Sequence, residues 1–460
     1  MFVSFILLWI CVVFFILCLK CRRPKNFPPG PPPLPVLGNL LNLSLDNPMR
    51  DFEKLRRCYG NVYSLFIGPK PAVVINGVQA MKEAMMTKAV DFAGRPQDIF
   101  VSDLTQNGMV LADYGPSWKE HRRFALMTLR NFGLGKQSME QRILGEIQYT
   151  VETLEKSIGT ILSPRVMFHN AASNIICQVL FGTRFDYDDD FIKVVVQCFK
   201  ENSKIANGPW AMLYDFVPMI RNLPLPFMKA FKNIETCKKL ATGLITEHKE
   251  TRVPGKPRDF LDCYLDELDK RSDDGSSFCE DRLIMFVLDL HFAGTDTTSN
   301  TLLTGFLYLM TYPLVQERCQ QEIDRTLEKK DQVTYDDRHN MPYMQGTLII
   351  QNLNSVLNEE GQWKFPHEFN PENFLNNRGE FVKPEAFMPF SAGPRMCLGE
   401  GLARMELFLI MVTLLRKFNF IWPEDAGQPD YTPVYGVTLS PKPYCMKVQL
   451  RATQQNLQKQ

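Results

Sequence analysis

The sequence predicts a mainly α-helical protein with a small β-rich subdomain, preceded by a single N-terminal transmembrane helix. Three features carry that expectation. The first eighteen or so residues after the initial Met are uncharged and apolar. The stretch from about Asp113 to Glu328 has mostly helical periodicity. Short β-branched runs with Gly-Pro punctuation lie outside it.

The elements follow in chain order. "FVSFILLWICVVFFILCL", Phe2 to Leu19, is just long enough to span a bilayer. Lys20, Arg22, Arg23 and Lys25 follow at once, which places that flank and the rest of the chain in the cytosol. A cleavable signal peptide would need a basic n-region, a shorter apolar core and a small-residue cleavage site, and none is visible. Residues 1–20 therefore read as a membrane anchor and 21–39 as a basic, proline-rich hinge. In the hinge, "FPPGPPPLPVLGN" forbids helix and favours a stiff, extended spacer. Residues 40–460 form the globular part. The chain's twelve cysteines, nine of them in the globular part, suit reduced thiols in the cytosol rather than a disulfide framework. The formal charge of +1, from 52 basic and 51 acidic residues, gives no reason to expect nucleic acid as a partner.

"VYSLFIGPKPAVVING", Val62 to Gly77, reads as a short hairpin. Val253-Pro-Gly-Lys-Pro257 and Asp273-Asp-Gly-Ser-Ser277 read as breaks between helices. The longest helical signal runs from Asp281 to Pro313, roughly 45 Å of helix, apolar around most of its circumference. Asp281, Arg282, Asp289, His291 and Asp296 argue against a second membrane span. In its middle, Ala293-Gly-Thr-Asp-Thr-Thr298 interrupts the apolar character with poor helix formers. Taken alone it supports two readings equally: a polar kink, or a groove where a ligand lies against the helix beside a proton-delivery pair.

The stretch that carries chemistry is "FMPFSAGPRMCLGEGLARMELF", Phe387 to Phe408. Its core, Phe390-Ser-Ala-Gly-Pro-Arg395-Met-Cys397-Leu-Gly399, has the form FxxGxRxCxG. Two glycines permit a tight loop that aims backbone N–H groups at a sulfur. A helix starting near Leu398 adds its positive end, and together these favour a thiolate. Arg395 supplies a fixed charge suited to a carboxylate. A soft thiolate beside a carboxylate-binding arginine matches haem, with one axial sulfur and a propionate anchor.

At this loop the chain resembles the cytochrome P-450 superfamily. "FAGRP" at Phe92, "WKEHRRF" at Trp118 and "AGTDTT" at Ala293 are similar to microsomal family 2, and the run from Gly346 to Arg404 to its J-like branch. The resemblance implies the cytochrome P-450 fold and a haem b cofactor. It implies Cys397 as the axial iron ligand, and Trp118, Arg122, Arg395 and Arg95 as propionate partners. On bare spacing, Trp118 and Arg122 suit a surface packing pair instead. By the same resemblance, Thr297 and Asp296 deliver protons, Ala293 and Gly294 leave room for haem and substrate, Phe390 packs near the sulfur, and Gly399 closes the loop. Phe100, Val101, Leu288, Val437 and Thr438 fall where the family lines its substrate pocket.

One stretch departs from the pattern. "MPYMQ", from Met341, resembles the start of the helix bearing the family's Glu-x-x-Arg pair, while "GTLIIQNLNSV", from Gly346, resembles a strand that comes several tens of residues later. Glu120-His-Arg-Arg123 and Glu322-Ile-Asp-Arg325 fit Glu-x-x-Arg, but both lie in regions already accounted for. The fold is expected to be incomplete across the 345/346 junction.

Two functions follow as expectations. One is a single-pass endoplasmic reticulum enzyme with its catalytic domain facing the cytosol. It would insert one atom of O2 into apolar substrates, fatty acids such as arachidonate or xenobiotics. Its electrons would come from NADPH through NADPH-cytochrome P-450 reductase, with cytochrome b5 as an optional second partner. The other is a haem-poor splice or prediction variant, a non-catalytic membrane protein. The six histidines show no metal-like spacing, and GxSxG, HExxH and GxxxxGK[ST] motifs are absent.

Overall fold

The computed structural model describes residues 9, 12, 23–35, 37–44, 47–131, 137–271, 277–347, 361–366 and 368–452. Apart from Trp9 and Val12, the expected membrane helix lies outside the described residues, as do the polar loop up to Ser276 and the strand-like run from Leu348. Among the described residues, no helix is long and apolar enough to cross a membrane.

The N-terminal part opens with α1 (Pro48–Tyr59), where Asn47 caps the helix by accepting the N–H of Arg50 and Pro48 occupies the first turn. The hairpin expected at Val62–Gly77 is present as β1 (Val62–Ile67) and β2 (Lys70–Ile75), paired antiparallel with Ile67 opposite Lys70. The helices that position the site follow. They are α2 (Pro116–Asn131), α3 (Gln137–Lys156), α4 (Arg165–Leu180), α5 (Asp190–Ala206), α6 (Phe227–Thr251) and α7 (Phe260–Lys270). After them come α8 (Glu280–Thr311), α9 (Pro313–Thr326), α10 (Pro342–Thr347) and α11 (Glu400–Lys417). A three-stranded antiparallel sheet of order β3-β5-β4 joins Ile161–Leu162 (β3), Met446–Leu450 (β5) and Phe418–Ile421 (β4).

Helix α8 is the central beam. It buries Leu283, Phe286, Leu288, Leu302 and Phe306, as its all-round apolar pattern requires. Against it packs α4, with the rings of Phe168 and Phe306 stacked 5.1 Å apart. Burying each such ring contributes about 1.5–3 kcal/mol. Pro313, which has no N–H to donate, starts α9 just beyond the end of α8. The polar stretch at Ala293–Thr298 does not break the helix. The Thr297 hydroxyl donates to Ala293 O at 2.5 Å and that of Thr301 to Thr297 O at 2.8 Å, while the backbone ladder continues.

Among the described residues helix α10 spans Pro342–Thr347, and its N–H groups at Tyr343 and Met344 are capped by the buried Glu322 carboxylate of α9 at 3.1 and 2.8 Å. Glu322 therefore serves as a helix cap. The meander turn at Pro371–Phe374 is tied to α9 by Arg318, which contacts Glu372 at 2.8 Å.

Candidate functional site

The cysteine loop is shaped by two positive-φ residues, Ser391 at +64° and Gly393 at +71°. A Cβ on Gly393 would come within 1.8 Å of the Met85 carbonyl, so the loop lies directly against that backbone. The Cys397 N–H donates to Phe390 O at 2.9 Å, closing the turn. Gly399 forms the N-cap of α11, which starts at Glu400, two residues later than the sequence indicated. The N–H groups of Gly399 and Glu400 both donate to the Cys397 sulfur.

The thiol has open surface, yet the protein around it dehydrates it enough to raise its pKa. The two N–H donors and the Arg122 charge pull the other way without cancelling that effect. This differs from the thiolate expected from the loop alone. In the polypeptide by itself desolvation wins, and a bound cation is what would deprotonate the sulfur outright.

Beside the sulfur lies a cluster of cations. Arg122 donates to the carbonyl of Met396, the residue preceding Cys397. Arg395 donates to Ala93 O at 2.7 Å and Ala112 O at 2.8 Å. Its guanidinium sits 4.1 Å from the centre of the Trp118 ring, with that of Arg122 at 5.4 Å. Trp118 is 5% exposed, so the Arg122–Trp118 cation–π pair that spacing suggested is present, with its ring buried rather than on the surface. Arg95 joins the group through its backbone N–H to Asp113 and its Nε to Val110 O. Burial, then the charges of Arg95 and Arg122, hold Arg395 down to about 10, with Asp113 opposing. Three arginines facing one carboxylate make a site short of negative charge. The apolar side chains of Val110, Leu126 and Met396 stand exposed around it.

On α8, Ala293 and Thr297 are open although most of the helix is buried. Glu406 of α11 hydrogen-bonds Thr298, so the two helices meet about 9 Å along α11 from its first residue. Asp296 turns away from the Thr297 hydroxyl. Its carboxylate accepts from Thr438 and lies 3.5 Å from His169 Nε2. Gly294 lies against α4, where a Cβ would come within 2.9 Å of Ile176, so its small size serves helix packing there. Phe390 presents its ring to the Arg404 guanidinium at 5.0 Å.

Two expected pocket residues are core instead. Leu288 is fully buried, and Phe100 packs edge-on against Tyr214 and Phe231. Val437 stands exposed, and Thr438 is engaged with Asp296 and Asn300. Sequence reasoning missed His169, Asp289 and Glu406. The available signal was a titratable residue within an otherwise apolar helical run.

The donor set fits haem on this geometry: a soft sulfur with two N–H donors, three arginines facing a single carboxylate among the described residues, and an open face on the central helix.

Comparison with known proteins agrees. The family model "Cytochrome P450" matches residues 28–348 and 344–448, two stretches that meet at the Gln345–Gly346 junction. Cytochrome P450 2F2 of Mus musculus is 38% identical over 463 positions, covering 92% of this chain and 94% of that protein. That span holds several tens more positions than the covered part of a 460-residue chain supplies. Cytochrome P450 2J5 of Mus musculus is 38% identical, covering 91% of this chain and 90% of its own length. Cytochrome P450 2F1 of Homo sapiens is 36% identical, covering 96% and 97%.

Proposed function

The chain belongs to the cytochrome P450 family, and from that premise we propose that it is a membrane-anchored haem-thiolate monooxygenase acting on apolar organic molecules. The observation that carries this reading is the junction of two parts of the site. Arg122 binds the carbonyl next to Cys397 and shares the Trp118 ring with Arg395.

Haem on this sulfur supplies dioxygen activation and the insertion of one oxygen atom into substrate, the other leaving as water. The chain does the rest. Cys397 would hold the iron, and the N–H groups of Gly399 and Glu400 would offset the sulfur's charge. Arg95, Arg122, Arg395 and Trp118 would hold the propionates, and Phe390 would shield the sulfur side. The small side chain of Ala293 leaves space on α8. Thr297 would hold a proton at Oγ1 on the open face, and Asp296, whose carboxylate faces Thr438 and His169 in this structure, would replenish it after its side chain swings toward that face. Electrons come from NADPH through NADPH-cytochrome P-450 reductase, with cytochrome b5 as an optional donor. The resemblance to family 2 points to fatty acids or xenobiotics as substrates, and an N-terminal anchor would hold the enzyme on the endoplasmic reticulum with its globular part in the cytosol.

A second reading is favoured by the junction, where the family match divides and the Glu-x-x-Arg helix is missing. It makes the chain a haem-poor, non-catalytic relative. The carbon monoxide difference spectrum of dithionite-reduced protein separates the two. A strongly red-shifted Soret band is expected for haem on an ionised Cys397. Soluble protein with no Soret signal would leave only the second reading, and a blue-shifted band would mean that haem binds without its thiolate.

A further inference from the structure

The polar groups between α4 and α8 form a seam that the reading above does not use. On α4, His169 and Ser173 lie one turn apart among buried residues that include Phe168, Ala171, Ala172 and Asn174. Across from them on α8 stand His291, Thr295, Asp296 and Ser299. Ser173 Oγ meets His291 Nε2 at 3.0 Å. His169 Nε2 lies 3.4 Å from Ser299 Oγ and 3.5 Å from Asp296 Oδ1. Ser299 donates its own proton to Asp296 O at 3.1 Å, which leaves its lone pairs able to accept from His169 Nε2.

The seam is also under-filled. His169 Nδ1, His291 Nδ1, Thr295 Oγ1 and Asn300 Oδ1 are buried and find no hydrogen-bond partner among the described residues. Thr295 and His291 are 5% and 1% exposed, so these atoms cannot borrow bulk solvent. Buried polar atoms of this kind are ordinarily met by internal water. The His169 ring itself is 17% exposed, which gives the seam an outlet.

We propose that His169 is the entry residue of the proton path, passing protons from solvent through the α4–α8 seam to Asp296. The role rests on the monooxygenase reading of Asp296. The step moves one proton and no electrons. The Nε2–H bond of a protonated His169 breaks, an O–H bond forms at Asp296 Oδ1, and the neutral ring takes a new proton from water. Imidazole suits this exchange near neutral pH. Thr438, which donates to Asp296 Oδ2, is itself held by Asn300 at 3.0 Å, so Oδ1 is left turned to His169. The other charged groups around the pair are few. Arg165, one turn earlier on α4, is occupied by Pro441 O at 2.8 Å, and Glu406 approaches from α11 behind Thr298. His169 is a positioning residue, since it acts through Asp296.

The test uses the full chain with [13Cε1]histidine. Loss of the His169 resonance in H169Q assigns it, and its chemical shift is then compared between wild type and D296N at one pH. A displaced His169 resonance in D296N is expected from the 3.5 Å contact, and an unmoved resonance overturns the proposal. With reductase and NADPH, H169Q should divert electrons to hydrogen peroxide, with product per NADPH falling on the order of tenfold. It should also flatten the pH profile that wild type shows. A wild-type pH profile in H169Q overturns the relay while leaving the monooxygenase reading intact. Absence of the red-shifted carbon monoxide band overturns both.

Discussion

The carboxylate of Asp289 on α8 accepts the backbone N–H of Met109 at 2.6 Å and of Val110 at 3.0 Å, fixing the loop that carries the exposed Val110 side chain to the central helix. The same loop is held from its other side by Arg395 at Ala112 O. Burial pushes Asp289 up to about 6, with the two N–H bonds opposing. Replacing it by Ala strands two donors, and D289A should lose about 2–4 kcal/mol in denaturant unfolding. The sign with pH follows from the raised value. The folded state holds the Asp289 proton more tightly than the unfolded state, so this contribution is full below about pH 4 and shrinks as pH rises through about 6. The advantage of wild type over D289A should therefore narrow between those pH values. An advantage that widens would contradict the assignment.

Glu406 is fully buried on α11 and pushed up to about 8, with Thr298 as its hydrogen-bond partner. It enters the folded protein neutral at pH 7. Stability from this group is present below about pH 4.5 and is lost as pH rises through about 8. E406Q keeps the shape and cannot ionise, so its unfolding midpoint should lack that decline and exceed wild type above pH 8. Parallel curves for the two proteins would rule out a neutral buried Glu406.

Gly393 leaves no space for a side chain, with Met85 O at 1.8 Å from a built Cβ and φ at +71°. Backbone cannot yield as a flexible side chain would. G393A should cost at least ~2–3 kcal/mol from conformation alone. The loss should fall on the cysteine loop first, read as loss of the red-shifted carbon monoxide band at a temperature where far-UV circular dichroism is unchanged. Retention of the full band in G393A would show that the loop can move off Met85.

Arg395 joins two distant carbonyls with a fixed fork and stacks on Trp118. Lysine keeps the charge but cannot serve both carbonyls from one planar group. R395K and R395A should both lose haem on gel filtration, with R395K retaining the larger share. Thermal unfolding of R395A should report a loss of about 2–3 kcal/mol. Equal retention by R395K and wild type would reduce the role of Arg395 to charge alone.

Much of the architecture was legible in local pattern. The hairpin at Val62–Gly77, the long helix through Ala293, and the break after Thr251 follow from periodicity and from Gly and Pro, which act within a few residues. The cysteine loop was legible because its glycines, its cysteine and its helix start lie within one short segment. The polar stretch at Ala293–Thr298, which by itself left a kink and a ligand groove equally open, lies within one unbroken helix. The hydroxyls bond to carbonyls one turn back, which the backbone ladder tolerates when neighbouring helices pack it on most sides.

The sequence by itself determined the chemical inventory: a cysteine in a glycine-bounded loop, arginines, a hydroxyl and acid on a central helix, and a shortened stretch at Gln345–Gly346. Only the tertiary structure decided which of these groups meet. Arg395 reaches Ala93, Asp289 reaches Met109, and Asp296 turns to His169 rather than toward the open face of Thr297. The reason is physical. Each of these contacts joins segments more than a hundred residues apart, and which side chains meet there is set by how buried helices pack, not by the residues on either side.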